Sequence, residues 1–185
     1  ALVLLGAMPA AHAAPSTLSF NAAISACEKG GQWQAAVGVF YDMRRGQTTP
    51  DVSSYNSVIE ATFDQPIGCE LFGMALKDKD FSRLVSWRGT YLDLHSLSHG
   101  TALLAVQRCL YEMQSQRVIG GRVPPRLRII TGWGKHRKAW QTGDVQAAVW
   151  QLLQVLELPL VPQGNPGSLV VNLEHVDVPR LIEKQ

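Results

Sequence analysis

Two short stretches of the chain match each other: residues 20–26 read FNAAISA, and residues 55–61 read YNSVIEA. An offset of 35 residues places the aromatic residue, Asn, Ile and Ala of the first stretch over those of the second. The same offset aligns Met8 with Met43 upstream. Because the matches fall at corresponding positions, they predict an internal repeat of 35 residues.

Each repeat has the pattern of two helices. Apolar side chains recur at helical spacing in residues 20–27 and again in residues 33–43, and glycines at Gly30 and Gly46 predict where the helices end. A single helical hairpin cannot bury its apolar face alone, so such units stack into an α-solenoid. We predict a partial repeat at residues 1–16, a full repeat at 17–51, and a degenerate repeat at 52–86, where Gln65-Pro66 replaces the glycine pair.

The first 15 residues, ALVLLGAMPAAHAAP, have the apolar run and Ala-His-Ala sequence that are typical of a secretory signal peptide. However, no basic segment precedes the run, and it is shorter than the about 20 residues that span a bilayer. The 35-residue offset aligns it with the second helix of the repeat. We therefore interpret it as the end of an interrupted repeat, which predicts a fragment of a longer protein that is not secreted.

The net charge of +2 is the average of two unlike halves. Residues 1–86 carry six basic and eight acidic side chains, whereas residues 87–185 carry eleven and seven. No acid lies between Glu112 and Asp144, but seven bases do: Arg117, Arg122, Arg126, Arg128, Lys135, Arg137 and Lys138. A stretch of one sign favours a polyanionic partner, and a solvated surface is the alternative.

The pattern changes at about residue 87. Short apolar runs at residues 90–95, 127–131, 158–161 and 168–173 predict strands, and helical patterns follow Ser98 and Asp144. The order strand, helix, strand, helix, strand, strand predicts a two-layer α/β sandwich over residues 87–185, in which parallel pairing of the first two strands would need a right-handed crossover. The predicted fold class is thus α+β, a helical solenoid followed by this sandwich.

Two loops with chemically active side chains follow predicted strands, at residues 92–100 and 131–138. Loops that leave the carboxyl ends of parallel strands gather at one edge of a sheet. We therefore expect Asp93, His95 and His136 to lie close together.

The second loop contains the candidate nucleic-acid contacts of this half. Its glycines allow a tight turn in which backbone N–H groups approach a phosphate. Its tryptophan either stacks on a base or packs beneath the loop. The candidates are Thr131, Gly132, Trp133, Gly134, Lys135, Arg137 and Lys138.

The repeats resemble pentatricopeptide repeats, in their period and in the start that residues 20–26 and 55–61 share. In that family one repeat reads one RNA base, through a polar side chain early in the first helix and another at the last position. The resemblance assigns Asn21 and Asp51 to such a pair, which implies uracil. It assigns Asn56 to the next pair, with a partner position near Ser86. The alternative for both asparagines is a polar residue at a helix start.

Leu92-Asp93-Leu94-His95 and the sequence TGWGKH at residues 131–136 resemble the two motifs of the Smr (small MutS-related) domain. The form at the end of plant organellar pentatricopeptide proteins is closer still. Ser96 stands where the bacterial motif has Gly, and Arg137 stands where it has Ser. The resemblance implies a nuclease, or a domain that binds nucleic acid without cleaving it, in a chloroplast or other plastid or in a mitochondrion.

The residues permit cleavage of a phosphodiester. Asp93 can orient His95, and either His95 or His136 can act as general base or acid. Lys135, Arg137 and the backbone at 132–134 can neutralise charge on the phosphorane. A metal-assisted version would use Asp93 with His95 and His99, so a divalent cation such as magnesium stays open as a cofactor. We assign no metal site.

Three functions remain open at this point. The first is an RNA-binding protein of organellar RNA metabolism whose Smr domain is a candidate endoribonuclease. The second is a non-catalytic module that clamps RNA or DNA, and the third is a helical scaffold that binds protein. The first two imply single-stranded RNA, or DNA, as partner, with neither a membrane nor a small-molecule substrate.

Overall fold

The computed structural model describes residues 2–8, 14–87, 89–132, 145–162 and 167–174. Within them, the chain forms eight helices and a four-stranded mixed sheet, and no helix there has the length and hydropathy to cross a membrane. The helices are α1 (Leu2–Ala7), α2 (Thr17–Lys29), α3 (Trp33–Arg45), α4 (Val52–Thr62), α5 (Pro66–Ala75), α6 (Lys79–Val85), α7 (His99–Val118) and α8 (Val145–Val155). The strands are β1 (Tyr91–Asp93), β2 (Arg126–Ile130), β3 (Leu160–Val161) and β4 (Ser168–Asn172).

The chain divides into two compact units, Ala1–Ser82 and Arg83–Gln185. The N-terminal unit is helical, as the repeat predicts, and α2 packs against both α3 and α4. Its core is formed by the apolar faces of the helices, with Ile24, Phe40 and Ile59 fully buried. These contacts confirm the stacked helical hairpins.

The second hairpin forms although its sequence is degenerate. Pro66 is the first residue of α5, where its fixed φ suits a helix start. A Cβ on Gly68 would lie 2.2 Å from the Thr62 carbonyl oxygen, so α5 begins in close contact with the end of α4. Val39 and Phe40 of α3 correspond in burial to residues 71 and 72 of α5, an offset of 32. Both turns have three residues, 30–32 and 63–65, but α4 and α5 have 11 and 10 residues where α2 and α3 have 13 each, which is why the period of 35 is lost there.

The next helix, α6, also begins early. The Asp78 carboxylate accepts hydrogen bonds from the N–H groups of Asp80 and Phe81, at 3.0 and 2.9 Å, and so caps this helix. Ser16 and Asp51 cap α2 and α4, 35 residues apart, whereas Asp78 follows Asp51 by 27. The helix cap of this repeat that corresponds to Asp51 is thus Asp78, eight residues before Ser86, and the partner position near Ser86 stays a prediction.

The C-terminal unit has the predicted order of strands and helices. The sheet order is β1-β2-β4-β3, with β1 and β2 parallel and the other pairs antiparallel. One face of the sheet is fully buried through Leu92, Leu127 and Ile129, and α8 contacts both α7 and β4. The first strand ends at Asp93 instead of residue 95, because the Asp93 carboxylate accepts the backbone N–H of His95 and turns the chain.

Candidate nucleic-acid interface and catalytic pair

Asn21 and Asp51 are brought together by the packing of α2 against the start of α4. Asn21 Nδ2 donates to Asp51 Oδ1 at 3.1 Å, and the Ser54 hydroxyl lies 2.6 Å from Asn21 Oδ1 and 2.9 Å from Asp51 Oδ1. Asp51 is exposed, Asn21 is half-buried and Ser54 is fully buried. The two polar side chains that the repeat pattern singles out therefore form one hydrogen-bonded cluster with a solvent-facing edge.

Asp51 also caps α4. Its Oδ1 accepts the backbone N–H of Ser54 at 2.8 Å, while the Ser54 hydroxyl accepts the N–H of Asp51, which completes a capping box. Partial burial raises the pKa of the Asp51 carboxyl, but the hydrogen bonds from Ser54 and Asn21 outweigh it, so the pKa lies below its ordinary value. The charged form of Asp51 is thus the form that the fold stabilises.

The second repeat places Asn56 on α4 at the position that Asn21 has on α2, five residues after the helix cap. Asn56 is half-buried. The equivalent of Asp51 in this repeat is Asp78, whose charge lies close enough to Tyr55 to contribute to the raised pKa of that phenol, after burial as the main cause. Sequence reasoning missed Asp78 because it counted 35 residues forward. The available signal was Asp78 itself, an Asp placed two residues before Asp80-Phe81, which is a typical helix-capping position.

Asp93 and His95 form a close pair at the carboxyl end of β1. The Asp93 Oδ1 and His95 Nδ1 atoms are 2.6 Å apart, and Oδ1 also accepts the His95 backbone N–H at 3.1 Å. The side chains are 39% and 59% exposed, respectively. A neutral imidazole that donates from Nδ1 to the carboxylate keeps Nε2 unprotonated, which is the arrangement of a general base.

A pocket opens beside this pair. It is lined by Arg83 and Ser86 from the segment before β1, by Tyr91 from β1, and by Asp93 and His95. Sequence reasoning missed Arg83, because this residue lies in the segment predicted as degenerate repeat. An arginine thus lines the same pocket as Asp93 and His95, a combination of residue types suited to a phosphate group.

The start of the second loop lies against His95. Gly132 has a φ of +83°, and a Cβ there would be 3.4 Å from the Cβ of His95. The N–H groups of Thr131 and Gly132 donate to the Gly167 carbonyl at 3.0 and 3.1 Å, and the buried Thr131 hydroxyl lies 3.3 Å from the same oxygen. These donors are therefore occupied within the fold. Trp133, Gly134, Lys135, His136, Arg137 and Lys138 lie outside the described residues.

The acidic and imidazole side chains do not gather into a metal site in the described part of the chain. No three His, Cys, Asp or Glu side chains among those residues are placed to hold one ion. Asp93 and His95 supply two donors at most, and His99 does not complete a set with them. We derive no step through a cation from these residues.

The N-terminal repeats are similar to those of known proteins. Residues 15–64 match the PPR repeat family. The chain is 33% identical over 104 residues to "Pentatricopeptide repeat-containing protein At1g74750" of Arabidopsis thaliana, across 56% of this chain and 12% of that protein. It is 34% identical over 101 residues to "Pentatricopeptide repeat-containing protein At1g18900" of the same plant, across 54% of this chain and 11% of that protein.

These matches support a pentatricopeptide repeat protein. The chain spans about an eighth or less of the length of the two curated relatives. The Smr resemblance of the C-terminal unit stays a prediction.

Proposed function

We propose that this chain is part of an RNA-binding pentatricopeptide repeat protein of a plastid or mitochondrion. The proposal depends above all on the contact between Asn21 and Asp51, which lies within the matched repeats and leaves a polar edge exposed. An amide and a carboxylate together offer donors and acceptors that can pair with the edge of an unstacked base. We assign uracil to this pair, and we assign Asn56 with Asp78 to the following base.

The test of RNA binding uses two substitutions in one cluster. Asn21→Ala with Asp51→Ala should abolish the preference of the full chain for oligouridine over oligoadenine in a fluorescence anisotropy titration. Ser53→Ala, an exposed change one residue away from the cluster, is the matched control and should leave the preference intact. If both variants bind both RNAs as the wild type does, the solenoid does not read RNA and the scaffold alternative is favoured.

We further propose that the C-terminal unit is an Smr domain with endoribonuclease activity. Two features support this assignment: the close Asp93–His95 pair at the edge of a parallel strand pair, and the arginine in the adjacent pocket. The match to the first Arabidopsis relative covers 104 residues, more than the 82 of the N-terminal unit, so the similarity extends into the C-terminal unit.

The chemistry that these residues can perform is transfer to the neighbouring ribose oxygen. His95 Nε2 takes the proton of the 2′-hydroxyl, the 2′-oxygen forms a bond to phosphorus, and the bond from phosphorus to the 5′-oxygen breaks. The leaving 5′-oxygen needs a proton, a role we assign to His136. Arg83 offsets the charge on the phosphorane, and Asp93 holds the imidazole in the required tautomer.

Incubation of the full-length protein with a matched RNA tests this activity. Asp93→Asn combined with His95→Ala should abolish cleavage. The control is Glu174→Gln, which removes an exposed carboxylate just after β4, at the end of the sheet away from Asp93. Cleavage at the wild-type rate by the double variant would show that the assigned pair is not the active site.

A non-catalytic clamp is the second candidate. The observation in its favour is that the Asp93 carboxylate is hydrogen-bonded to both the imidazole and the backbone N–H of His95. An aspartate that only stabilises the loop conformation would make the same two hydrogen bonds. This function predicts binding that weakens steeply with salt, since bound phosphates release counterions, and no strand scission with or without divalent ions.

A further inference from the structure

The β1–β2 part of the sheet in the C-terminal unit has an exposed face that carries an aromatic ring and two guanidinium groups. Along β2 the residues alternate between exposed and buried, so that Arg126 and Arg128 lie on the face opposite to Leu127 and Ile129. In the parallel pairing of β1 with β2, Tyr91 is the register partner of Arg128. Both therefore project from the same face, which we call the open face and define by Tyr91, Arg126, Arg128 and Ile130.

The aromatic ring and the guanidinium groups of the open face are accessible. Tyr91 is 39% exposed, and both arginines are exposed. Within the described residues, neither Arg126 nor Arg128 takes part in a salt bridge or a side-chain hydrogen bond. A shallow groove runs over them from Pro125 to Ile130 and Val170. Uncompensated positive charge beside an accessible aromatic ring fits a polyanion whose units carry flat rings.

The open face is continuous with the Asp93–His95 pair. Tyr91 and Asp93 are two residues apart on one strand, so their side chains lie on the same face. Tyr91 also lines both the groove over the arginines and the pocket that contains Asp93 and His95. A nucleic-acid strand bound along the groove would thus reach Asp93 and His95 along one continuous surface.

From this arrangement we infer that the open face is a binding site for single-stranded RNA, which stacks one base on Tyr91 and places phosphates on Arg126 and Arg128. Stacking on an aromatic ring is tolerant of sequence, because every base has a π-face. The site therefore supplies affinity rather than base choice. This inference extends the proposed function, since it gives the C-terminal unit its own RNA contact and a route to its catalytic pair.

The test measures binding of a labelled oligouridine to the full chain. Tyr91→Ala should weaken binding at least about fivefold, whereas Tyr91→Phe, which keeps the ring, should bind as the wild type does. Arg128→Gln should weaken binding and reduce the slope of log Kd against log salt by about 0.7. Arg108→Gln on α7 removes the same charge away from the sheet, and Tyr111→Ala removes another exposed ring, so both serve as controls.

The outcomes separate this inference from the proposed function. Wild-type affinity in Tyr91→Ala and Arg128→Gln overturns the open-face site alone, provided that the Asn21 and Asp51 variant still loses its preference for oligouridine. An equal loss in the Arg108→Gln control shows a general charge effect and also overturns the site. Failure of the wild-type chain to bind oligouridine overturns both proposals.

Discussion

Asn21 and Asp51 are 30 residues apart in the sequence, yet Asn21 Nδ2 donates a hydrogen bond to Asp51 Oδ1 at 3.1 Å. The bond joins the first helix of one repeat to the cap of the first helix of the next. A side chain early in α2 is thereby coupled to the start of α4. Stability and the proposed RNA contact depend on the same few atoms.

The first prediction concerns the helix cap. Asp51→Ala removes the acceptor for the Ser54 N–H and for Asn21, so it should lower the free energy of unfolding by about 1 kcal/mol. Asp51→Asn retains an oxygen that can cap the helix and should cost less. Urea denaturation followed by circular dichroism measures both. Equal costs for the two variants would show that the charge, and not the cap, is what matters.

The second prediction concerns pH. The pKa of Asp51 in the folded chain is below its ordinary value of 3.8, so the charged form contributes stability above that value and loses it as the pH falls through the folded pKa. The stability difference between the wild type and Asp51→Asn should therefore be constant near neutral pH and shrink below about pH 3.8. Denaturation midpoints of both proteins across this range measure it. A difference that does not change with pH contradicts the assignment.

The third prediction uses two glycines of one helix. Gly68→Ala would place a Cβ 2.2 Å from the Thr62 carbonyl oxygen, so it should destabilise the N-terminal unit by about 1–3 kcal/mol or more. Gly73→Ala is the matched control, because nothing lies within 4 Å of the added carbon. It should stabilise the helix by about 1 kcal/mol. Effects of the same sign on stability would contradict the close contact between Gly68 and the Thr62 carbonyl.

The fourth prediction concerns the three cysteines. Cys69 is exposed, whereas Cys27 and Cys109 are buried, and burial raises the pKa of the Cys109 thiol to about 12. Because the thiolate is the reactive form, iodoacetamide at mildly alkaline pH should modify Cys69 well before the other two. Peptide mass spectrometry over time measures the order, and unfolding in guanidinium should make all three react alike. Early modification of Cys109 in the native protein would contradict its burial.

The first repeat was predictable because its pattern is local. The helical spacing of apolar residues predicts the buried faces of α2 and α3, and the structure buries Phe20, Ile24 and Phe40. The second hairpin was harder, since its helices are two and three residues shorter than those of the first, which shifts later positions out of register. Its close fit depends on Gly68 meeting Thr62, a contact that exists only once the helices pack.

In the C-terminal unit, too, local sequence patterns predicted the elements, whereas the contacts between distant elements were not predictable. Alternation and helical spacing predicted its order of strands and helices, because both patterns are set by neighbouring residues. The position of β4 between β2 and β3 was not predicted, since antiparallel strands find partners through the whole fold. The proximity of Asp93 and His95 followed from their spacing, whereas the pocket shared with Arg83 required the packed structure.

Under the proposed function, Asp51 both caps α4 and contacts RNA, and this limits which residues can replace it. Any side chain that contacts RNA from this position must also cap α4, a task that Asp, Asn, Ser and Thr perform and that longer or apolar side chains do not. The set of side chains that could recognise a base from this position is therefore limited by the need to cap the helix, whether or not RNA is bound. A redesign of the repeat for another base has about four side chains to choose from at position 51, and broader freedom only at position 21.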